Sequence, residues 1–311
     1  MSLFDSLVVS TLPLVPKGIV RRFSRRYIAG PRLEDAMRVV GDLNGLGAMA
    51  TVDVLGEEIA TLDQAKRFAD QYIHVLEEID RLDLNSNISV KLTSLGLKID
   101  RAHCAAALAR IVELARDLGS FVRIDMEDSS CTAETIEIHE EVHRDHPDVG
   151  IAIQAHLRRS ASDVRRLAAT GANFRLCKGI YIEPRQIAYK DPAIINGNYS
   201  LLLEMMLSKG CYVGIATHDE RLVWDAIRLT DRLAIPRERF EFQMLLGVDE
   251  ELRKILIDAG YRLRVYVPFG EDWYAYSVRR LKENPRLAGQ VFRNLRRGLV
   301  PRASRPSRVT P

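Results

Sequence analysis

The chain has 311 residues, 47% of them hydrophobic and 28% charged, with a net charge of +3. This is the balance of an ordinary globular enzyme, and no apolar run approaches the roughly 18 residues that a membrane helix needs. Four cysteines, Cys104, Cys131, Cys177 and Cys211, stand far apart with no C-x-x-C pair. They suggest neither a zinc knuckle nor a disulfide framework, so a reducing cytoplasm is the expected compartment.

The first sixteen residues, MSLFDSLVVSTLPLVP, are apolar, but they carry Asp5 and lack both a basic start and a small-residue cleavage site. No signal peptide is expected. A basic run follows at Lys17, Arg21, Arg22, Arg25 and Arg26, and residues 1–46 read as a mostly helical extension. At its end, Gly45-Leu-Gly47-Ala-Met-Ala50 matches the dinucleotide fingerprint G-x-G-x-x-A. That motif must follow a strand and open a helix, whereas here a helical stretch precedes it and a strand follows.

From about residue 47 short β-branched runs alternate with longer amphipathic stretches, the pattern of βαβ units. Strands are predicted at Met49–Val54, Ile88–Leu92, Phe121–Met126, Ile151–Gln154, Phe174–Lys178, Tyr212–Ala216, Phe240–Leu245 and Leu263–Val267. Between them the helical patterns are Thr61–Arg81, Ala102–Leu118, Thr132–Arg144, Asp163–Ala169, Tyr199–Lys209, Asp219–Leu233 and Asp249–Ala259, with a last one at Trp273–Glu283. Eight such units predict an α/β fold, a closed (β/α)8 TIM-like barrel over residues 47–285. Thr61-x-x-Gln64, Ser160-x-x-Asp163 and Thr217-x-x-Glu220 each fit a capping box. Gly119, Gly171, Gly210 and Gly260 stand just before strands, where a helix ends most easily in the left-handed conformation.

His139-Glu140-Glu141-Val142-His143 fits the zinc motif H-E-x-x-H, but its helix would lie outside the barrel and only His146 is near as a third ligand. A solvated helix face is the better reading, and no metal is expected. Residues 286–311 read as a basic, flexible tail: after Glu283 there are seven arginines and no acid, which leaves −4 on residues 1–283. Basic arms can attract an anionic membrane surface, at the inner face of the membrane in a cytoplasmic protein, although charge runs are more often simply solvated. No nucleic-acid partner is expected.

In a barrel the chemistry gathers at the C-terminal ends of the strands. Those ends read Ser89-Val-Lys91, Arg123-Ile-Asp125-Met-Glu127, Gln154-Ala-His156, Arg175-Leu-Cys-Lys178-Gly179-Ile-Tyr181, Ala216-Thr217-His218, Glu241-Phe-Gln243-Met-Leu245 and Tyr266-Val-Pro-Phe-Gly270. So many charges and amides are out of place in interiors that prefer bulky branched side chains, and together they mark a site. Cations outnumber acids there, and with Arg279-Arg280 on the last helix they suit an anion, since paired arginines grip a carboxylate or phosphate bidentately.

The segment from Tyr266 through Pro268-Phe-Gly270 to Arg279-Arg280-Leu-Lys-Glu283 resembles the signature of the proline dehydrogenase family, notably its monofunctional bacterial members. The resemblance extends through the strand-end motifs quoted above. It implies a barrel that holds FAD noncovalently at its mouth, with the last helix over the substrate. The reaction implied is oxidation of L-proline to Δ1-pyrroline-5-carboxylate by hydride transfer to flavin N5, the first step of proline catabolism, with electrons passed to a quinone. Carried over to this chain, the catalytic set would be Arg175, Lys91 and Asp125. Lys91, Arg279 and Arg280 would bind the substrate carboxylate, Tyr266 and Leu245 would pack on its ring, and Glu283 would orient the arginines. The cofactor would meet Gln154, Arg175, Lys178, Gly179 and Tyr181 around the flavin and ribityl chain, with Gln243, and Thr217 and His218 toward the phosphates. The bulk of Tyr266 argues for proline over hydroxyproline. His156 and Ile180 depart from the residues common in larger relatives. Without the resemblance, a lyase with Lys91 or Lys178 as Schiff-base nucleophile and a zinc hydrolase on His139 and His143 stay open as rivals, and no residue stands out as the base for the proline amine.

Overall fold

The computed structural model describes residues 26–56, 59–274 and 277 of the chain. Eight parallel strands close into a barrel in sequence order: β1 (Met49–Val54), β2 (Ser86–Val90), β3 (Val122–Ile124), β4 (Val149–Gln154), β5 (Asn173–Cys177), β6 (Val213–Ala216), β7 (Phe240–Leu245) and β8 (Leu263–Phe269). The predicted (β/α)8 TIM barrel is therefore the observed fold. The seam runs from Met49 opposite Arg264 to Val54 opposite Phe269. Around the strands lie α1 (Leu33–Gly45), α2 (Leu62–Arg81), α3 (Arg101–Asp117), α4 (Thr132–Asp145), α5 (Ser160–Ala168), α6 (Pro192–Ser208), α7 (Glu220–Arg232) and α8 (Glu250–Asp258). The barrel unit is Arg26–Asp272. The predicted last helix falls outside the described residues apart from Trp273, Tyr274 and Ser277, as do the tail and most of the N-terminal extension.

Local chemistry explains the element boundaries. At the start of α2, Gln64 N donates to Thr61 Oγ1 at 3.3 Å and Thr61 N to Gln64 Oε1 at 3.1 Å, the predicted reciprocal cap. The helix then buries Ala65, Ala69, Tyr72, Val75, Leu76 and Ile79, a helical spacing that lays one stripe on the sheet. Each large apolar side chain so buried contributes about 1.5–3 kcal/mol. The four glycines before strands all sit at positive φ, from 63° to 76°, where a Cβ would be strained. Gly45 ends α1 and Gly47 lies just before β1, the wrong context for a dinucleotide loop.

Two predicted caps are corrected. Ser160 is not an N-cap, because Arg159 holds that position; Ser160 Oγ donates to Gln154 O at 2.6 Å, and Asp163 accepts from Arg159 Nε at 2.8 Å. Helix α7 is capped by Asp219, whose carboxylate accepts from Arg221 N at 3.1 Å, while Thr217 Oγ1 accepts from Asp219 N. Helix α6 begins at Pro192, seven residues before the predicted start: Asp191 caps it and Pro192 needs no donor in the first turn.

Candidate active site

Alternation along the strands sorts residues between two cores. On β5, Phe174 and Leu176 are fully buried and belong to the hydrophobic core, while Arg175 is buried in hydrogen bonds to Ser89 of β2, Asp125 just after β3 and Gln243 of β7. The same alternation puts Phe240, Phe242 and Met244 of β7 in the apolar core and engages Glu241 and Gln243 with Arg264 and Arg175. The barrel interior is thus a polar network, which is stable only because its charges are paired and hydrogen-bonded.

Toward the C-terminal ends of the strands, Asp125 is the hub. It accepts from Ser89 Oγ at 2.8 Å, from Tyr266 Oη at 2.7 Å and from Arg175 Nη1. Arg175 also donates from Nε to Gln243 Oε1 at 2.6 Å and from Nη1 to Ser89 Oγ at 2.8 Å, and its guanidinium lies 5.3 Å from the Tyr266 ring centre. Beside this hub Lys91, which follows β2, forms a buried ion pair with Asp53 of β1. Burial pushes the Asp53 carboxyl up to about 6; the Lys91 charge offsets part of that and the neighbouring Asp125 adds to it.

Deeper in the barrel, Arg264 Nε donates to Glu241 Oε1 at 2.6 Å and Tyr212 Oη donates to Glu241 Oε2 at 2.7 Å. Burial alone would raise the Glu241 carboxyl, but the charge and hydrogen bonds of Arg264, with those of Tyr212 and Gln243, hold it down at about 2. Arg123 crosses to Asn173 O at 2.6 Å, and burial drops its guanidinium to about 9.

At the rim, Gln154 Nε2 donates to Met126 O and Glu127 O at 2.8 and 2.9 Å, while its Oε1 is buried with no hydrogen-bond partner among the described residues. Gly179 lies at φ 95°, and a Cβ there would fall 1.7 Å from His156 Nδ1, so only glycine allows this packing. Lys178 is paired with Asp219 at 2.6 Å, and Asn196 shares that carboxylate at 3.3 Å. His218 Nε2 accepts from Leu245 N at 2.8 Å, and burial lowers its pKa, so the neutral ring carries its proton on Nδ1 as a donor. Thr217 is buried, and Tyr181 and Leu245 are half-buried. These groups fit a flavin nucleotide in kind: cationic and neutral donors for an anionic, acceptor-rich molecule, and one orphaned amide oxygen for a ring N–H.

Of the predicted site residues, Gln154 and Leu245 end their strands, Lys91, Asp125, Lys178, Gly179, Tyr181, Thr217 and His218 follow theirs, and Arg175, Gln243 and Tyr266 lie within β5, β7 and β8. Arg279, Arg280 and Glu283 lie outside the described residues. Asp53 and Arg264 went unnoticed, whereas Asp219 stood at the end of the sixth strand in the sequence and only its partner Lys178 did not show there. An acid within Thr51-Val-Asp-Val and an arginine inside β8 break the pattern of a wholly apolar parallel strand, and that is the signal that could have found the two. In the zinc motif, Glu140 is bound by Arg166, and His139 is buried, stacked on His143 with ring centres 5.1 Å apart. The solvated face predicted there is half wrong, since His139 faces inward.

A sequence model of proline dehydrogenase matches residues 36–293. Proline dehydrogenase 1 of Bacillus subtilis (strain 168) is 36% identical over 272 residues, covering 88% of this chain and 90% of the relative. Proline dehydrogenase of Deinococcus radiodurans is also 36% identical, over 282 residues, with the same coverage of both chains. Among solved structures, proline utilization A from Bdellovibrio bacteriovorus, inactivated by N-propargylglycine, superposes with a TM-score of 0.82 at 26% identity. That match covers 98% of this chain, which spans only 40% of that longer protein. Proline utilization A of Bradyrhizobium japonicum, at 21% identity and a TM-score of 0.73, shares the fold. With the matched segment taking in all eight strands and the hub they converge on, the chain belongs to the proline dehydrogenase family.

Proposed function

We propose that this enzyme oxidises L-proline to Δ1-pyrroline-5-carboxylate with noncovalently bound FAD as its cofactor. The observation that carries the reading is the interlock of Asp125, Arg175, Gln243 and Tyr266, with the buried Lys91–Asp53 pair beside it, in a chain of this family. FAD, when bound, supplies the hydride acceptor at N5 for the C5 hydrogen of proline, and a quinone takes the electrons onward. In this reading residues 47–285 form the catalytic barrel, 1–46 a helical extension and 286–311 a basic tail.

The chain's own residues bind and orient. Arg175 is held by Asp125, Ser89 and Gln243, so its guanidinium is fixed and meets the flavin without reorganisation at the moment of reaction. Gln154 Oε1 accepts from the flavin ring, and Gly179 and Lys178 line its approach. His218 Nδ1–H and Thr217 serve the phosphate side, beside the start of α7. Lys91, with Arg279 and Arg280, takes the proline carboxylate; Leu245 and the Tyr266 ring pack on the pyrrolidine, and Glu283 orients the arginines. Against a Schiff-base lyase, both candidate lysines are engaged by a carboxylate rather than presented to a carbonyl, Lys91 by Asp53 and Lys178 by Asp219.

Among the described residues no helix is long and apolar enough to cross a membrane. Contact with a membrane, where a quinone acceptor resides, is a proposal that rests on the basic termini.

The test is the colour of the purified protein. Acid precipitation should release free flavin, and anaerobic proline should bleach the visible spectrum. A colourless supernatant, or flavin retained on the polypeptide, overturns the noncovalent FAD assignment.

A further inference from the structure

Glu241, the second residue of β7, is joined to Arg175 through the Gln243 amide. Glu241 is buried and held as a carboxylate by Arg264 and Tyr212. As an acceptor only, it takes a hydrogen bond from Gln243 Nε2 at 2.6 Å. The amide of Gln243 then has one orientation: its oxygen points away from Glu241 and accepts from Arg175 Nε at 2.6 Å. A flipped amide would set oxygen against carboxylate and N–H against guanidinium, two repulsive contacts in place of two attractive ones.

The second observation is steric. Gly214 of β6 lies opposite both Arg175 and Glu241 in register. A Cβ on Gly214 would sit 2.3 Å from Gln243 Nε2 and 2.7 Å from its amide carbon. The backbone of Gly214 is not in the left-handed region, so the need for glycine comes from that amide and not from the turn of the chain. The neighbouring strand leaves the amide its place, and the carboxylate below it sets its direction.

We propose that Glu241 is a positioning residue for the flavin site: through the Gln243 amide, seated over Gly214, it fixes the orientation in which Arg175 meets the cofactor. This rests on the reading that Arg175 faces FAD. Glu241 itself touches neither substrate nor cofactor in this scheme. It acts along the line Arg264, Glu241, Gln243, Arg175, Asp125 and Tyr266, which joins the base of the barrel to its mouth.

The experiment measures FAD dissociation from the purified holoenzyme, followed by the rise in flavin fluorescence on dilution, together with the visible spectrum and the thermal midpoint. Gly214→Ala moves the amide and leaves every charge in place. Glu241→Gln/Arg264→Gln removes the buried pair together, so no lone charge is left, and frees the Gln243 amide to turn. Both variants should release FAD about three- to tenfold faster, in the range of couplings between touching residues, with a spectral change in the direction of Arg175→Met. Adding Gly214→Ala to a Gln243→Ala background should change neither readout further, because the methyl then has no amide to displace. If the double variant does not fold, Gly214→Ala and the Gln243→Ala background carry the test alone. Variants that lower the thermal midpoint but keep wild-type dissociation and spectrum overturn the proposal, as does a full Gly214→Ala effect in the Gln243→Ala background. If Arg175→Met itself leaves the flavin unchanged, it is the placement of Arg175 at FAD that fails.

Discussion

Tyr266 Oη donates to one oxygen of Asp125 at 2.7 Å while Arg175 bonds the other, and the arginine lies 5.3 Å from the Tyr266 ring centre. One carboxylate thus sets both the residue assigned to the substrate ring and the residue assigned to the flavin. Tyr266→Phe keeps the ring and removes the tether. The loss of one hydrogen bond to a charged acceptor corresponds to about 1.5–3 kcal/mol. The KM for proline should rise at least about tenfold with little loss of bound FAD. Steady-state kinetics with a dye acceptor and flavin content check this, and an unchanged KM removes the tether from substrate binding.

Lys91 and Asp53 form a buried pair, with side-chain exposures of 7% and 0%. Asp53→Ala or Lys91→Met alone leaves a lone buried charge and should cost about 3–5 kcal/mol of stability, whereas Asp53→Asn/Lys91→Met together should recover most of it. Urea unfolding of the three variants measures the difference. The recovered double variant should still bind proline poorly, because it lacks the ammonium proposed for the proline carboxylate.

His139 gives a pH dependence with a definite sign. Burial, with repulsion from His143 and Arg123, lowers its pKa from 6.5 to about 3. The unfolded chain therefore binds the proton more readily than the folded one between those values, and stability rises with pH. The contribution is complete above about pH 6.5 and is lost as pH falls toward about 3. Thermal melts should show wild type losing more stability than His139→Leu between about pH 7 and about pH 4. Parallel curves would place the protonation elsewhere.

Arg280→Met tests the substrate side of the site. A hydrogen bond to a charged group contributes about 1.5–3 kcal/mol, so if the proposed carboxylate contact is lost kcat/KM for proline should fall at least about tenfold. The variant should stay yellow and folded, whereas Arg175→Met should alter the flavin spectrum. Flavin loss in Arg280→Met alone would mean that the substrate and cofactor roles are exchanged.

The basic tail is tested by sedimentation with anionic liposomes at low and high salt. Polybasic attraction is screened over about 10 Å at 0.1 M salt, so binding should fall as salt rises and should be weaker after deletion of residues 286–311. Equal sedimentation of full-length and shortened protein removes the membrane role.

By itself the sequence determined the barrel. Runs such as Phe240–Leu245 and Met49–Val54 needed only their composition to be placed, because strand and helix periodicities are local. It determined as well which strand ends carry charge, through Lys91, Asp125, Arg175, Gln243 and Tyr266. It did not show which partner each residue takes, since Arg175 meets Ser89, Asp125 and Gln243 across separations of 50 to 86 residues, and no local pattern encodes such pairs. Caps failed for the same reason: Ser160 looked like a cap until Gln154 O and Arg159 competed for its place. Only closure of the barrel turned Asp53, Glu241 and Arg264 from odd residues in apolar strands into a single polar network, because burial removes the water that would otherwise satisfy each of them separately.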